Sequence, residues 1–215
     1  MGKPHLLLDF GEVISLAQPA GEVAELAALA GLPVGEFSRR YWVNRPAYDA
    51  GGSALAYWTE IIGAAPGGDR LRRLIERDVA SWLHLNPEML RLLDAVHAAG
   101  TPVSLLSNAP RELARALDRH ADLKGFGHLL FSADLALVKP DPAIFAAALA
   151  ALGAGPGDVV FVDDRRANIE AAAALGIRGI LFTGTAACLA GVARAAIAGE
   201  PALHIGWRNL GGAPA

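Results

Sequence analysis

With a single cysteine, Cys188, among 215 residues, the chain can build neither an internal disulfide framework nor a cysteine metal cluster. Nothing in that usage points to an oxidising compartment. It has no basic excess: 19 Lys and Arg stand against 22 Asp and Glu, a net charge of -3. No nucleic-acid partner and no anionic membrane surface is therefore expected. Long apolar runs are missing as well. No segment reaches membrane-spanning length, and the three leucines Leu6, Leu7 and Leu8 are too few for a secretory signal. The expected location is the cytoplasm. The histidines His5, His84, His97, His120, His128 and His204 show no metal-ligand spacing. Charged residues make up only 19% against 53% hydrophobic ones, which excludes a disordered chain.

What is present is a set of short apolar runs that stop abruptly on polar residues. Leu6 to Leu8 end on Asp9, with Phe10 and Gly11 directly after. A run this short, closed by glycine, reads as a buried strand. Pro102 to Leu106 ends at Ser107-Asn108, Leu129 to Phe131 precedes Lys139, and Val159 to Val162 ends at Asp163-Asp164. Gly179 to Phe182 reads as a last strand. Helical patterns separate them: Pro87 to Ala99, Glu112 to His120, Ala143 to Leu152 with Asp141 as N-cap, and Arg166 to Leu175. Alternating strands and helices at this spacing make an α/β fold, a doubly wound parallel sheet with helices on both faces and right-handed crossovers.

Between the first two strands the pattern is helical only. Val23, Leu26 and Ala27 mark one helix, ended by Gly31 and Pro33; Phe37, Tyr41 and Trp42 mark a second. Leu55, Trp58, Ile61 and Ile62 follow Ser53, a plausible N-cap, and Leu71, Leu74, Ile75 and Val79 give a fourth. This reads as a four-helix unit, residues 15–85, inserted into a core formed by 1–14 and 86–200. The Gly- and Pro-bearing tail, 201–215, is expected to fray.

In a parallel sheet all the polar strand ends lie along one edge, where ligands bind. Three carboxylates gathered there, Asp9, Asp163 and Asp164, repel one another and raise one another's pKa. A hard dication relieves that, and Mg²⁺ takes few carboxylates together with waters and a substrate phosphate. Lys139 adds a point positive charge. Ser107 and the N–H groups opening the helix near Pro110 can hold phosphate oxygens. Asn168 lies four residues beyond Asp164, so the helix turns it back toward the same edge. In the insert, Arg39, Arg40, Tyr41, Trp42, Arg45, Tyr48 and Asp49 form a dense aromatic and basic cluster. It reads first as a helix packing its aromatic face. Its functional reading makes Arg45 and Tyr48 substrate-binding candidates.

Four segments taken in order, Asp9-Phe-Gly-Glu-Val13, Leu106-Ser107-Asn108, Lys139-Pro-Asp-Pro142 and Val162-Asp163-Asp164-Arg-Arg-Ala-Asn168, resemble the four motifs of the haloacid dehalogenase-like (HAD) hydrolases. The resemblance runs from Leu6 to about Thr183 and implies a Rossmann-like sheet of order 5-4-1-2-3 with an inserted C1 cap. It implies a Mg²⁺-dependent phosphatase acting on a small phosphorylated metabolite such as a sugar phosphate. Asp9 would be the nucleophile, carrying an aspartyl-phosphate. Ser107, Asn108 and Lys139 would hold the phosphate. The metal would lie on Asp9, Asp164, the Gly11 carbonyl and Asp163 as neighbour or second ligand. Most phosphatases of the family carry an acid/base aspartate two residues after the nucleophile; here that position is Gly11. Glu12, a water or a good leaving group must then serve, which favours sugar-1-phosphates and aryl phosphates over primary alkyl phosphates. The alternatives are a haloacid dehalogenase, disfavoured by the Asp-Asp pair, and a catalytically weak binding protein of the same fold. The protein is expected to be a monomer or homodimer.

Overall fold

The computed structural model describes residues 3–198; the tail 201–215 lies outside the described residues. Five strands, β1 (His5–Leu8), β2 (Val103–Ser107), β3 (Leu129–Phe131), β4 (Val159–Asp163) and β5 (Arg178–Leu181), form one parallel sheet in the order β3-β2-β1-β4-β5. This is the order that the family resemblance implies, counted from the other edge. Four helices separate β1 from the core helices: α1 (Ala20–Ala30), α2 (Val34–Asp49), α3 (Ala54–Ile62) and α4 (Gly68–Ser81). The core helices are α5 (Pro87–Ala98), α6 (Arg111–Leu117), α7 (Ser132–Leu135), α8 (Pro142–Leu152), α9 (Arg166–Ala174) and α10 (Ala186–Ala193). The sequence reading places no helix at α7 or α10. Among the described residues no helix is long and apolar enough to cross a membrane.

The sheet is buried on both faces, so its strands are continuously apolar instead of alternating. The side-chain period of two still divides them. Leu6 and Leu8 join Val103, Leu105, Val160 and Val162 on one face, against residues of α5, α6 and α10. Leu7 joins Leu106, Val159 and Phe161 on the other, against α8 and α9. Because β1 is central, its C-terminal end stands at the middle of the ligand edge, between the ends of β2 and β4.

The four-helix insert has its own core, built on Leu26, Phe37, Tyr41, Tyr48, Trp58 and Leu74. Local chemistry sets its helix ends. The Ser53 hydroxyl accepts from the Ala56 N–H at 3.2 Å, and α1 stops at Gly31, whose φ of 70° suits a residue without Cβ. The two connections to the sheet domain run side by side: Ser15 bridges Leu85, Leu16 N–H donates to His84 O and Asn86 N–H to Ile14 O. The end of α2 touches the core directly. Gly51, at φ 99°, brings its backbone so near α7 that a Cβ there would meet the Ala133 carbonyl at 3.0 Å.

Candidate active site

Asp9 follows the last residue of β1, its N–H bonded to Val162 O at 2.9 Å. The chain then closes a tight turn, with Ile14 and Ser15 both donating to Phe10 O. Glu12 occupies the turn at φ 56°, an uncommon conformation for a residue with a side chain. The turn throws Asp9, Gly11 and Glu12 onto one side of a cavity of about 270 Å³. Ser107, Asn108, Lys139 and Asp164 reach the same cavity from the other strand ends. The structure thus brings together the first-motif, second-motif, third-motif and fourth-motif residues singled out in the sequence.

Lys139 organises the acidic floor. Its buried ammonium donates to Asp9 Oδ1 at 2.8 Å, Asp163 Oδ2 at 2.7 Å and Leu106 O at 2.8 Å, which uses all three of its protons. Burial works against that charge, but Asp9 and Asp163 outweigh it and hold the Lys139 pKa above its usual value. Asn108 fixes the lysine's backbone: its Nδ2 donates to Lys139 O at 3.0 Å and its Oδ1 accepts from Lys139 N at 2.8 Å.

The two adjacent aspartates differ. Asp163 is fully buried and accepts from Lys139, from Asn168 Nδ2 at 2.9 Å to each oxygen, and from the Arg165 N–H at 2.8 Å. Asp164 is half-buried and lines the cavity. Asp9, Asp163 and Asp164 each present a carboxylate oxygen within 4.8 Å of the others. Such crowding strains the anions. Burial pushes the Asp9 carboxyl up to about 7, with Asp163 and Asp164 adding to the shift and Lys139 opposing it. Burial likewise raises Asp164 to about 6, with Asp163 and Glu12 contributing. The donor set that faces the cavity is two carboxylates, Asp9 and Asp164, plus the backbone at Gly11. That is the oxygen-rich, carboxylate-poor set Mg²⁺ prefers when waters and a phosphate complete its shell.

The roof comes from the insert. Trp42 and Trp82 meet edge to face, ring centroids 6.1 Å apart, and both line the cavity. The Trp82 ring stands beside Gly11, where a Cβ would meet its Cζ3 at 3.5 Å. Arg45 also lines the cavity, yet its charge is already engaged: Nε donates to Asp49 Oδ1 at 2.8 Å, Nη1 donates to the Tyr41 hydroxyl and stands 3.5 Å from Asp78. Tyr48 does not reach the cavity; its hydroxyl donates to Glu112 Oε2 at 2.9 Å, tying α2 to α6. Trp82, Leu113 and Arg165 also line the cavity, and no sequence pattern marks them for it. Trp82 ends an amphipathic helix and reads as core. The Arg45–Asp49 spacing of four residues, an ion-pair spacing on a helix, was the available signal for Asp49.

A family model for haloacid dehalogenase-like hydrolases matches residues 11–176. Phosphoglycolate phosphatase from Salmonella paratyphi A is 31% identical over 118 residues, 53% of this chain and 47% of that protein. (S)-2-haloacid dehalogenase 1 from a Pseudomonas species is 31% identical over 124 residues, 57% of this chain and 54% of that protein. The chain spans about half the length of the curated relatives it matches. Among solved structures, a HAD-family enzyme from Bacteroides thetaiotaomicron, bt-2542, in complex with magnesium and inorganic phosphate, superposes with a TM-score of 0.69 at 20% identity. That superposition covers 86% of this chain and 96% of the other.

Proposed function

Since the chain belongs to the haloacid dehalogenase-like hydrolases, we propose that it is a Mg²⁺-dependent phosphatase acting on a small phosphorylated metabolite. The observation that carries this reading is the Asp9–Asp163–Asp164 cluster with oxygens within 4.8 Å, opening onto the cavity at Asp9 and Asp164. Asp9, Asp164 and the Gly11 carbonyl would hold the ion. Asp163, its oxygens already occupied, would act through Lys139 as the neighbour of that set. When bound, Mg²⁺ neutralises the cluster and offsets the charge of an entering phosphate. The magnesium and phosphate of the Bacteroides neighbour, and the phosphatase among the relatives, agree with this reading.

In the proposed reaction Asp9 attacks phosphorus as a carboxylate. Lys139, held between Asp9 and Asp163, fixes the orientation of that carboxylate and stabilises charge on the phosphoryl oxygens. Ser107 offers its hydroxyl to the same oxygens, and Asn108 keeps Lys139 in place through the two backbone bonds. The insert then acts as a cap whose two tryptophans exclude water and select the leaving group. Arg45 is already shared between Asp49 and Asp78, so the cation on the cavity wall that can meet a substrate anion, phosphate or haloacid carboxylate, is Arg165. The test is phosphate release from a panel of sugar, aryl and alkyl phosphates with and without Mg²⁺. Release that requires Mg²⁺ is expected; halide release from a haloacid without metal would replace the reading.

A further inference from the structure

Gly11 offers the leaving-group oxygen no side chain, and the Trp82 ring occupies the space beside it. The cavity contains two carboxylates besides those of the acidic floor, Glu12 and Asp49. Glu12 is exposed and lies in the field of Asp164, on the floor side. Asp49 comes from the roof. Resting on the phosphatase reading, we propose that Asp49 is the general acid and base of this enzyme, supplied by the cap in place of the missing core side chain.

Three features of the fold put Asp49 in that role. It is the last residue of α2 and is tied to the core beneath it. The Ser132 hydroxyl donates to Asp49 O at 2.6 Å while accepting from the Ala109 N–H at 2.9 Å, two residues beyond Ser107. The roof residue is thereby fixed over the Ser107 side of the cavity. Second, Arg45 holds only Asp49 Oδ1 through Nε at 2.8 Å, which orients the carboxyl without a bidentate clamp. Third, the surroundings favour a carboxyl that carries a proton. Burial raises Asp49 to about 6, with Asp78 adding and Arg45 and Arg165 opposing. The C-terminal end of α2 also disfavours an anion there, and an entering phosphate dianion disfavours it further. Tyr41, Tyr57 and Asp78 complete the ring of titratable groups around the Arg45–Asp49 pair.

The chemistry balances. An Asp9 oxygen bonds to phosphorus as the bond from phosphorus to the leaving oxygen breaks. The released electron pair takes the Asp49 proton, directly or through one water, and the alcohol departs. A water then attacks the phosphorus of the Asp9 phosphate and returns one proton to Asp49. The bond to Asp9 breaks, restoring both carboxyl groups and releasing phosphate.

The test compares kcat/KM for para-nitrophenyl phosphate, whose leaving group needs no acid, and ethyl phosphate, whose leaving group does. This ratio reports phosphoryl transfer to Asp9 and not its later hydrolysis. Asp49→Asn keeps an amide oxygen for Arg45 Nε but has no proton of comparable acidity. It should lose about 10²-fold or more on ethyl phosphate and less than about 10-fold on the aryl ester. Asp78→Asn, which disturbs the same arginine from outside the cavity, should move both substrates by one common factor. The wild type itself should show a shallow dependence of kcat/KM on leaving-group pKa, a readout that needs no variant to fold. A steep wild-type dependence, or equal losses on both substrates in Asp49→Asn, overturns the assignment while leaving the phosphatase intact. Steepening in Glu12→Gln but not in Asp49→Asn moves the acid to Glu12. A wild type that hydrolyses neither ester with Mg²⁺ present removes the phosphatase reading and this one with it.

Discussion

Replacing Lys139 with methionine removes the cation that Asp9 and Asp163 share while keeping most of the side-chain volume. In the native protein its ammonium lies 2.8 Å from Asp9, 2.7 Å from Asp163 and 2.8 Å from Leu106 O, with almost no solvent contact. Removing one partner of such a buried set leaves uncompensated charge, at a cost of about 3–5 kcal/mol. For a chain of this size each kcal/mol moves the melting temperature by about 2–4 °C, so a fall of about 6–20 °C is expected. The loss should depend on pH, and its sign follows from Asp9. That carboxyl stands at about 7 even with Lys139 beside it, and without the lysine it rises further. A carboxyl raised above its unfolded value favours the fold at low pH, and this contribution is lost as pH rises through the folded value. The gap between variant and native protein should therefore be small near pH 5 and widest at about pH 8. Thermal and urea unfolding across that range, without divalent cations, would measure it. A Lys139→Met protein as stable as the native one at every pH would show that the lysine does not hold the acidic cluster together.

Mg²⁺ at about 100 times its Kd should stabilise the protein by about 2.7 kcal/mol; at one fixed Mg²⁺ concentration the rise should be larger at pH 8 than at pH 6, because Asp9 and Asp164 must ionise to bind it. Asp164→Asn should remove most of that rise; an unchanged rise would place the ion elsewhere. Tyr48→Phe breaks the bond to Glu112 and should cost about 1 kcal/mol in unfolding experiments. It should leave the ratio of kcat/KM between substrates unchanged, since Tyr48 does not line the cavity; a changed ratio would make it a specificity residue.

The sheet was legible in the sequence because a strand buried on both faces writes itself as a short apolar run. Where such runs stop on Asp9, Ser107 and Asp163, the parallel topology does the rest. Lys139 was legible as a charge after a strand and, through the Lys139-Pro-Asp-Pro142 resemblance, as a phosphate-holding candidate, but not as the hub of the acidic floor. Its three bonds depend on β1, β2 and β4 lying side by side, which no local pattern states. The α2 cluster divided in a way spacing could not foretell. Tyr41, Arg45 and Tyr48 turn inward as a packed face, while Trp42 looks into the cavity and half into solvent. Trp82 and Asp49 gain their positions from how the insert docks on α6 and α7, through Tyr48–Glu112 and Ser132–Asp49. Those contacts span 64 and 83 residues, beyond the reach of any periodicity. The helices α7 and α10 escaped notice for a simpler reason. The first is four residues long, and the second, AACLAGVA, is Ala- and Gly-rich with little amphipathic contrast.

In the proposed reaction the phosphoryl group passes through Asp9. Mixing the protein and Mg²⁺ with para-nitrophenyl phosphate, quenching in acid within the first turnover and weighing the peptide that contains Asp9 tests this directly. One added phosphoryl group on that peptide is predicted, absent from Asp9→Asn and absent when Mg²⁺ is withheld. Continued phosphate release by Asp9→Asn, with its fold intact and the peptide unmodified in both proteins, would contradict the covalent mechanism.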